Sequence, residues 1–512
     1  MPGEREHARS RTIDIAIIGA GIGGIAAAVN LVRRDIRTFV IFEKSAGPGG
    51  TWWDNRYPGA ECDVPSALYS YSFKSHDWTR THARQAEIQA YIEETIDDFG
   101  IRANLRFGTA VESAQWDDQR QQYLVTTATG EARWFDVVVS AVGMLNVPKI
   151  PDWPGIDSFE GPLFHSARWD PAVDLDGKCV AVVGAGASAA QVVPALQPRV
   201  TELLSFQREP GWVLPKGDHD YTSDQRAELN RFGRRKLERW RVLRAMDKGG
   251  GRGDPNVVAA QRNRLETRIA SVFEDHPELR DALTPDFQPR CKRNVLSDGF
   301  YAALLEPNVR LITRSVERIT PRGVVDDRGE EHEADIVVLT TGFQAANFLG
   351  TLRVTGRGGR DLHETWGDDP KAFLGITVPG FPNFYMLYGP NTHGTVVSFV
   401  LERQAEFVAR DVRRLRRGGG GTIEVRQAAD VWYQRVLQEA IDAVETWKSG
   451  CHNFYLSASG RNVVQWPWTH RRYHVWARLL RRWSSSYRPL TRAARLARQE
   501  GGSDFSTSRE AA

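Results

Sequence analysis

The 512-residue sequence predicts an α/β fold made of two Rossmann-like dinucleotide-binding domains, the second inserted into the first. Glycine-rich turns at 19–24 and 184–189 each follow a short apolar strand. The strand DVVVSAVG at 136–143 has a near-copy, DIVVLTTG, at 335–342, and we expect each copy to close one unit. The chain then crosses between the units after each copy, which places the second unit inside the first.

The first unit has the features of a dinucleotide site. The strand IDIAII at 13–18 leads into Gly19, Gly21 and Gly24, and the absence of side chains there lets backbone N–H groups approach a pyrophosphate at the start of the next helix. The following strand ends at Glu43, 22 residues after Gly21, where an acid suits the ribose hydroxyls of FAD or NAD. The motif is specific because strand, turn, helix and terminal acid occur together.

A loop dense in glycine, proline and tryptophan follows, from Gly49 to Asp63. Loops of this length inside a compact domain are usually functional. An acid such as Asp63 in an apolar loop needs a partner, which favours a functional role for it. The simpler alternative for Trp52 and Tyr57 is that they only pack the loop onto the core.

An irregular stretch, FEGPLFHSARWD at 159–170, joins the two units. The pattern F-x-G-x-x-x-H-x-x-x-W-(P/D) is matched here by Phe159, Gly161, His165, Trp169 and Asp170. It resembles the linker of type I Baeyer–Villiger monooxygenases, whereas the related N- and S-oxidising flavin monooxygenases carry Tyr or Phe in place of Trp169. The resemblance implies that His165 and Trp169 lie at an interdomain hinge that couples domain movement to NADPH use, outside the covalent chemistry. The alternative is a satisfied surface histidine in an ordinary loop.

The loop at 49–63 matches a second pattern of that family, (A/G)-G-x-W-x-x-x-x-(F/Y)-P-(G/M)-x-x-x-D, at every specified position. The resemblance implies that Trp52, Asp63 and Tyr69 lie beside a flavin ring. Residues 340–343 resemble the A-T-G-F domain crossing of flavin monooxygenases, with Thr340 in place of alanine. The FAD contacts expected from the turn and the loop are Gly19, Gly21, Gly24, Glu43, Thr51, Trp52, Asp63 and Tyr69.

The second unit differs from the first in the charge that follows its second strand. Arg208 lies 22 residues after Gly186, the same offset as Glu43 in the first unit. An acid would repel a 2′-phosphate and a guanidinium can pair with it, so the first unit suits FAD and the second suits NADPH. The alternative is that Arg208 is a solvated charge at a strand end. The NADPH contacts expected from the turn and its helix are Gly184, Gly186, Ala187, Ser188, Ala189 and Gln191.

Residues 222–282 are helical in composition, with leucines and Trp240 at helical spacing. We interpret them as an insertion that walls off the substrate cavity, with the loop at 249–256 as its mobile hinge. The sequence Cys291-Lys292-Arg293 follows. The family resemblance implies that Arg293 is the active-site arginine and that Lys292 helps to bind the NADPH 2′-phosphate, and Arg208, Lys292 and Arg293 are all expected among the NADPH contacts. The alternative is a pair of surface cations.

The resemblance implies a reaction in which NADPH reduces FAD and O₂ adds to the reduced flavin to give a C4a-peroxide. As an anion this species attacks a ketone and yields an ester or lactone. Arg293 is the candidate that stabilises negative charge, and Asp63 is expected to orient it. The alternatives are an N- or S-oxygenating flavin monooxygenase and a nucleotide-sensing flavoprotein without turnover. The sequence leaves the identity of the ketone and the oligomeric state open.

The remaining segments complete the expected domain plan. Residues 379–394 resemble a strand and loop facing the flavin, and 447–455 and 461–468 are expected, by resemblance, to line the substrate side. The expected boundaries are 11–145 and 342–478 for the FAD-binding domain, 146–217 and 289–341 for the NADPH-binding domain, 218–288 for the helical insertion, and 479–512 for a basic, mostly disordered tail.

Composition narrows the function classes. A net charge of +3 is too small to favour nucleic acid as a partner. The polar N-terminus predicts no secretory signal, and no run of about 18 apolar residues predicts a membrane span. We therefore expect a cytoplasmic enzyme without a metal site. The widely spaced Cys62, Cys179, Cys291 and Cys451 are expected to be reduced thiols, and no C-x-x-C pair supports a disulfide reductase.

Overall fold

The computed structural model describes residues 12–249, 254–394, 396–447, 451 and 453–500. Residues 1–11 and residues 250–253 of the proposed hinge at 249–256 lie outside the described residues. The described chain is a mixed α/β fold with two five-stranded sheets as its main frames. The predicted fold class is confirmed.

The strands are short, and the inner strands of the two central sheets are almost wholly buried, whereas the edge strands β3, β8 and β13 are only partly buried. In chain order the strands are β1 (Ile15–Ile18), β2 (Phe39–Phe42), β3 (Leu105–Arg106), β4 (Val111–Asp117), β5 (Gln122–Thr127), β6 (Ala132–Phe135), β7 (Val137–Ser140), β8 (Leu163–His165), β9 (Cys179–Val183), β10 (Glu202–Phe206), β11 (Val213–Leu214), β12 (Val295–Leu296), β13 (Val309–Ile312), β14 (Val316–Thr320), β15 (Gly323–Asp326), β16 (Glu331–Glu333), β17 (Ile336–Leu339), β18 (Arg353–Thr355), β19 (Phe384–Met386), β20 (Thr422–Val425) and β21 (Ser485–Arg488).

In chain order the helices are α1 (Ile22–Val32), α2 (Thr51–Asp54), α3 (Gln85–Asp98), α4 (Ala189–Leu196), α5 (Ser223–Leu229), α6 (Arg234–Gly249), α7 (Pro255–Val272), α8 (Pro277–Leu283), α9 (Phe300–Leu304), α10 (Leu362–Trp366), α11 (Val397–Arg417), α12 (Gln427–Asp442), α13 (His470–Ser484) and α14 (Arg492–Glu500). A strand–helix–strand alternation occurs at each glycine turn, as β1-α1-β2 and β9-α4-β10.

The order of the strands shows how one unit is inserted into the other. The first sheet runs β19-β7-β1-β2-β3 and is parallel throughout. The second runs β13-β10-β9-β17-β8 and is also parallel. Every strand of the second sheet precedes β19 in the chain, so the first unit is completed only after the chain returns from the second unit.

Helix α1 is made of small residues because it is covered on both sides. It lies against β1 and against the long helix α11. A Cβ atom placed on Gly23 would lie 3.1 Å from the side chain of Leu401 on α11, closer than atoms normally pack. The glycines and alanines of this helix therefore set the distance between the first sheet and α11.

The predicted helical block is present as α5 to α8, of which α6 packs against the first unit and α7 and α8 pack into the apolar cluster of the second. Arg239 of α6 donates hydrogen bonds to the carbonyl oxygens of Leu68 (2.9 Å) and Ser70 (2.8 Å). At the other end of α6, His470 of α13 contacts the Asp247 carboxylate at 2.7 Å. The block thus joins the second unit to two parts of the first.

The prediction of a mostly disordered tail from residue 479 is wrong for residues 479–500. Helix α13 continues to Ser484, β21 pairs with β20, and α14 follows. Arg498 of α14 donates hydrogen bonds to the Asp136 carboxylate (2.6 Å) and to the Arg120 carbonyl (2.6 Å). The arginine-rich composition suggested disorder, but Arg498 of this helix pairs with the buried Asp136 carboxylate. Residues 501–512 lie outside the described residues.

No helix in the described part of the chain is both long enough and apolar enough to cross a membrane.

Replacing Arg498 with leucine is expected to destabilise the protein by about 3–5 kcal/mol, because it leaves a buried carboxylate without its cation. The side chains of Arg498 and Asp136 are 8% and 5% exposed. Urea unfolding measures the effect. The exposed Arg495→Leu on the same helix is the control and is expected to change stability by less than about 0.5 kcal/mol. Equal losses in both variants would contradict the assignment.

Candidate active site

A cavity of about 1100 Å³ lies between the two sheets and is lined by both glycine turns. It is larger than the roughly 300–1,000 Å³ typical of a single small-ligand pocket. Most of the predicted site residues line it: Gly19, Gly21, Glu43, Thr51, Trp52, Asp63, Tyr69, Gly184, Gly186, Ala187, Ser188, Gln191, Arg208, Lys292 and Arg293. Gly24 and Ala189 do not line it, because they lie inside α1 and at the start of α4.

The two glycine turns are built in the same way. Gly19 has a φ of +106°, and a Cβ there would lie 2.5 Å from the Ala141 carbonyl oxygen. Gly184 has a φ of +138°, and a Cβ there would lie 2.5 Å from the Thr340 carbonyl oxygen. Only glycine permits this conformation and this approach to the end of the strand that closes each unit.

Both turns line the cavity, and the second has open space for a dinucleotide. A Cβ placed on Gly186 would meet no atom within 4 Å, although the residue lines the cavity. In the first unit the Glu43 carboxylate accepts backbone N–H groups from Ala20 (2.7 Å) and Ser45 (2.9 Å). Its remaining lone pairs can accept ribose hydroxyls. These features fit FAD at the first turn and NADP at the second.

The loop at 49–63 contacts both units. Trp52 donates its indole N–H to the Tyr69 hydroxyl at 2.9 Å. The Tyr57 hydroxyl donates to Gln191 Oε1 of α4 at 2.8 Å, and a Cβ on Gly59 would lie 2.5 Å from the Gln191 carbonyl oxygen. The loop therefore both packs against its neighbours and lines the cavity.

Arg293 and Asp63 form an ion pair that crosses between the units inside the cavity. The Arg293 side chain keeps 39% of its surface accessible on the cavity side. The Asp63 carboxylate raises the pKa of Arg293 further above its ordinary value. Burial alone would raise the pKa of Asp63, but the Arg293 guanidinium outweighs that effect and the pKa is lowered. Both groups are therefore charged across the physiological range.

The two cations expected at the second turn also reach the cavity. Arg208 is exposed just beyond the end of β10. Lys292 pairs with Glu209 and lies 4.6 Å from the centre of the Phe287 ring. The sequence interpretation overlooked Glu209, an acid next to Arg208 that holds Lys292 beside it.

Aromatic side chains from the C-terminal part of the chain complete the wall near Arg293. Tyr388, His393 and Phe454 line the cavity. The Tyr388 hydroxyl lies 2.8 Å from His393 Nδ1, and Tyr388 itself has a φ of +61°, which is rare outside glycine. The sequence indicated the segment 379–394 but no individual residue in it, because nothing local marks which side chains face inward.

Two expectations about the cavity wall are wrong for the described residues. No described residue of helices α5 to α8 lines the cavity, because α6 lies against the first unit and α7 and α8 pack into the second. The segment 461–468 lies behind His393, whose backbone N–H donates to the Val464 carbonyl at 3.0 Å. In the segment 447–455, residues 448–450 and 452 lie outside the described residues.

Comparison with known proteins shows the family. A family model described as "Flavin-binding monooxygenase-like" matches residues 12–234. A "Baeyer-Villiger monooxygenase" of Streptomyces coelicolor is 40% identical over 472 residues, which cover 91% of this chain and 89% of that protein. A protein of the same name from Pseudomonas aeruginosa is 38% identical, with 90% and 88% covered. The chain belongs to the Baeyer–Villiger monooxygenase family.

Solved structures agree with this assignment. Cyclohexanone monooxygenase from Rhodococcus sp. Phi1 bound to NADP⁺ superposes with a TM-score of 0.85 at 28% identity, covering 93% of this chain and 99% of that one. An oxidised steroid monooxygenase bound to NADP gives a TM-score of 0.83 at 30% identity, covering 93% of this chain and 99% of that chain. The predicted family, enzyme class and cofactors, FAD and NADPH, are confirmed.

The family linker of this monooxygenase lies outside the cavity and ties the second sheet to the return crossing. His165 ends β8, its Nε2–H donates to the Gly342 carbonyl at 3.0 Å, and its Nδ1 accepts the Ala167 N–H at 3.1 Å. A Cβ on Gly161 would lie 2.1 Å from the Asp335 carbonyl oxygen, so glycine is required there. Trp169 packs edge-on against Phe164 at 5.0 Å.

The outer residues of the linker motif have structural contacts as well. Phe159 packs against the apolar cluster of the second sheet. The Asp170 carboxylate accepts the Ala172 N–H at 2.9 Å and so shapes a turn. These contacts support a hinge role for the linker, which stays a prediction.

The expectation that all four cysteines are reduced thiols is wrong. Cys291 and Cys451, 160 residues apart in the sequence, form a disulfide with a Cα–Cα distance of 6.2 Å. Cys62 and Cys179 are free. Spacing along the chain held no information on this pair, because only the return of the chain to the first unit brings Cys451 beside the Lys292–Arg293 segment.

His165 is expected to make stability depend on pH. Burial lowers its pKa, which the hydrogen bond to Gly342 only partly opposes, so the folded state binds a proton less readily than the unfolded state. This contribution is present above about pH 6.5 and is lost as pH falls below it. The difference in Tm between wild type and His165→Asn should therefore shrink between pH 7.5 and 5.5. A difference that is constant with pH would contradict this.

Proposed function

We propose that this monooxygenase uses NADPH and O₂ to insert an oxygen atom next to a ketone carbonyl, giving an ester or lactone. The observation that carries the proposal is the Arg293–Asp63 pair, a cation held in the wall of a cavity that both glycine turns share. When bound, reduced FAD supplies the activation of O₂ and NADPH supplies the electrons. The chain supplies position and charge.

Arg293 is the residue that we propose acts on the reacting atoms. A guanidinium fixed beside a ketone stabilises the negative charge that develops on the carbonyl oxygen as the carbonyl carbon is attacked. Asp63 keeps the guanidinium charged and limits its rotation, because one of its nitrogens is engaged in the pair. Tyr388 and Phe454 contribute aromatic surface to the same wall.

Several finer assignments belong to the same proposal. The FAD and NADPH contacts are those named from the sequence, with Gly24 and Ala189 acting through the shape of their turns. The domain boundaries are those expected from the sequence, except that the first domain extends through α14. The cytoplasmic location stays a prediction, and the Cys291–Cys451 bond gives a reason to test it.

The activity test is a panel of cyclic, aromatic and bulky ketones, with NADPH consumption and ester formation measured together. Ketone-dependent ester formation supports the proposal. Oxygenation of amines or sulfides without any ester would instead assign N- or S-oxygenation. No ketone-dependent NADPH oxidation at all would leave the Baeyer–Villiger proposal without support.

Arg208→Ala is expected to raise the KM for NADPH while leaving NADH kinetics little changed. Arg208 faces the cavity beyond the second glycine turn, and a charge-assisted contact to a 2′-phosphate contributes roughly 1.5–3 kcal/mol. This corresponds to about a 10–100-fold change in KM. Equal catalytic efficiency with both coenzymes in the wild type would contradict the role of Arg208. The exposed Arg199→Ala, whose partner is Asp176, is the matched control.

Arg293→Ala is expected to lower the rate of ester formation by at least about 10²–10³-fold, because the charge-stabilising cation is lost. FAD is expected to stay bound, because the substitution leaves the glycine turn at Gly19 unchanged. Arg293→Lys is expected to rescue little, because a point charge cannot span Asp63 and a second anion. Asp63→Ala is expected to be milder. Ester yield, hydrogen peroxide release and flavin content are measured in all three variants. Near wild-type ester formation in Arg293→Ala would remove Arg293 from the mechanism.

A further inference from the structure

Lys216 is a buried cation that lies outside the site residues discussed so far. Its side chain is 1% exposed, and its Nζ lies 2.7 Å from Glu61 Oε1 and 4.0 Å from Asp218 Oδ2. The Nζ makes no well-directed hydrogen bond, so ion pairing alone offsets the loss of water. Lysine is almost never fully buried unless it is paired.

Lys216 belongs to a group of ion pairs that cross between the units. Residues 61–80 precede β7 of the first sheet, and residues 216–220 and 293 lie between β10 and β13 of the second. The interdomain ion pairs, as we call them, are Glu61–Lys216, Asp63–Arg293, Arg80–Asp218 and Arg80–Asp220. Each joins a residue of the first unit to one of the second.

The backbone around Lys216 is held firmly on both sides. The Asp298 carboxylate accepts the N–H groups of Lys216, Gly217 and Asp218 at 2.8, 3.1 and 2.9 Å. Across the contact, the Thr81 N–H donates to the His219 carbonyl at 3.0 Å. The ammonium group is therefore presented to Glu61 from a fixed segment of the second unit.

Glu61 is two residues from Asp63, and this short connection brings Lys216 to the active site. The Glu61 carbonyl accepts the Gln191 side-chain N–H at 2.9 Å, and the Cys62 N–H donates to the Ala83 carbonyl at 2.9 Å. Burial raises the pKa of Asp63, Arg293 lowers it, and Lys216 lowers it further. Lys216 thus contributes to the charge environment of Asp63 and pairs with Glu61 in the same short segment.

We propose that Lys216 is a positioning residue that holds Glu61, and through it Asp63 and Arg293, in the arrangement required for ester formation. The inference rests on the proposed function. It links the contact between the units to the rate of ester formation. When the units are docked, Lys216 pairs with Glu61, and this pairing keeps the Arg293 guanidinium in its working orientation. A substitution of Lys216 therefore affects Asp63 through residues 61–63 and leaves both glycine turns unchanged.

The first measurement is independent of catalysis. Purified, FAD-loaded Lys216→Met, Asp63→Asn and the double variant are compared by thermal unfolding. Because the two residues share one charge network, the drop in Tm of the double variant is expected to be smaller than the sum of the single drops. Additive drops would overturn the inference, whatever the enzyme does to ketones. Lys178→Met, an exposed lysine of the second unit, is the matched control and is expected to leave Tm unchanged.

The second measurement is the yield of ester per NADPH consumed. Lys216→Met is expected to lose about tenfold in ester yield, with the difference released as hydrogen peroxide and with the KM for NADPH within about twofold of wild type. If Lys216→Met does not fold, Lys216→Met/Glu61→Gln removes both buried charges and is expected to show the same loss of ester at restored Tm. If the double variant instead recovers both its Tm and its ester yield, Lys216 is only a structural counter-ion of Glu61, and the inference is overturned. Wild type that forms no ester refutes the proposed function instead, and the Tm comparison alone then decides the placement of Lys216.

Discussion

The contact between Asp63 and Arg293 exists only when two separately built units meet. Asp63 comes from a loop of the first unit and Arg293 from a segment of the second, and among the residues that the structure describes the ion pair of each is with the other unit. Removing the mostly covered Asp63 carboxylate from water is unfavourable unless it is paired, so the docking of the units and the formation of the site depend on each other. The Tyr57–Gln191 hydrogen bond and the Glu61–Lys216 pair reinforce the same contact.

Each unit solves the same packing problem at its glycine turn. The first glycine passes against the carbonyl at the end of the closing strand, at Ala141 in one unit and Thr340 in the other. The chain leaves each unit directly after that carbonyl. A single backbone contact in each unit thus links the glycine turn to the point where the chain crosses to the other unit.

Local features were predictable from the sequence, and contacts made by distant segments were not. The turns, Glu43, Arg208 and the linker are recognised because the relevant residues are near each other in the chain. The family resemblance supplied Arg293 and Asp63. Lys216, the disulfide and the inward-facing Tyr388 depend on how separate segments pack, and no periodicity marks them. The tail shows the opposite error: its composition indicated disorder, but Arg498 has a buried partner on the first unit.

The Cys291–Cys451 bond changes the topology of the molecule. Residues 291–451, with the bond, form a closed covalent ring that runs from the second unit through the crossing at 340–343 into the first unit. The two units are consequently joined at three covalent points: the two crossings and the sulfur bridge. Cleavage of the peptide chain in the return crossing leaves both halves of the ring attached. Reduction of this bond by a thiol reagent therefore opens the ring next to Arg293 while the peptide chain stays intact.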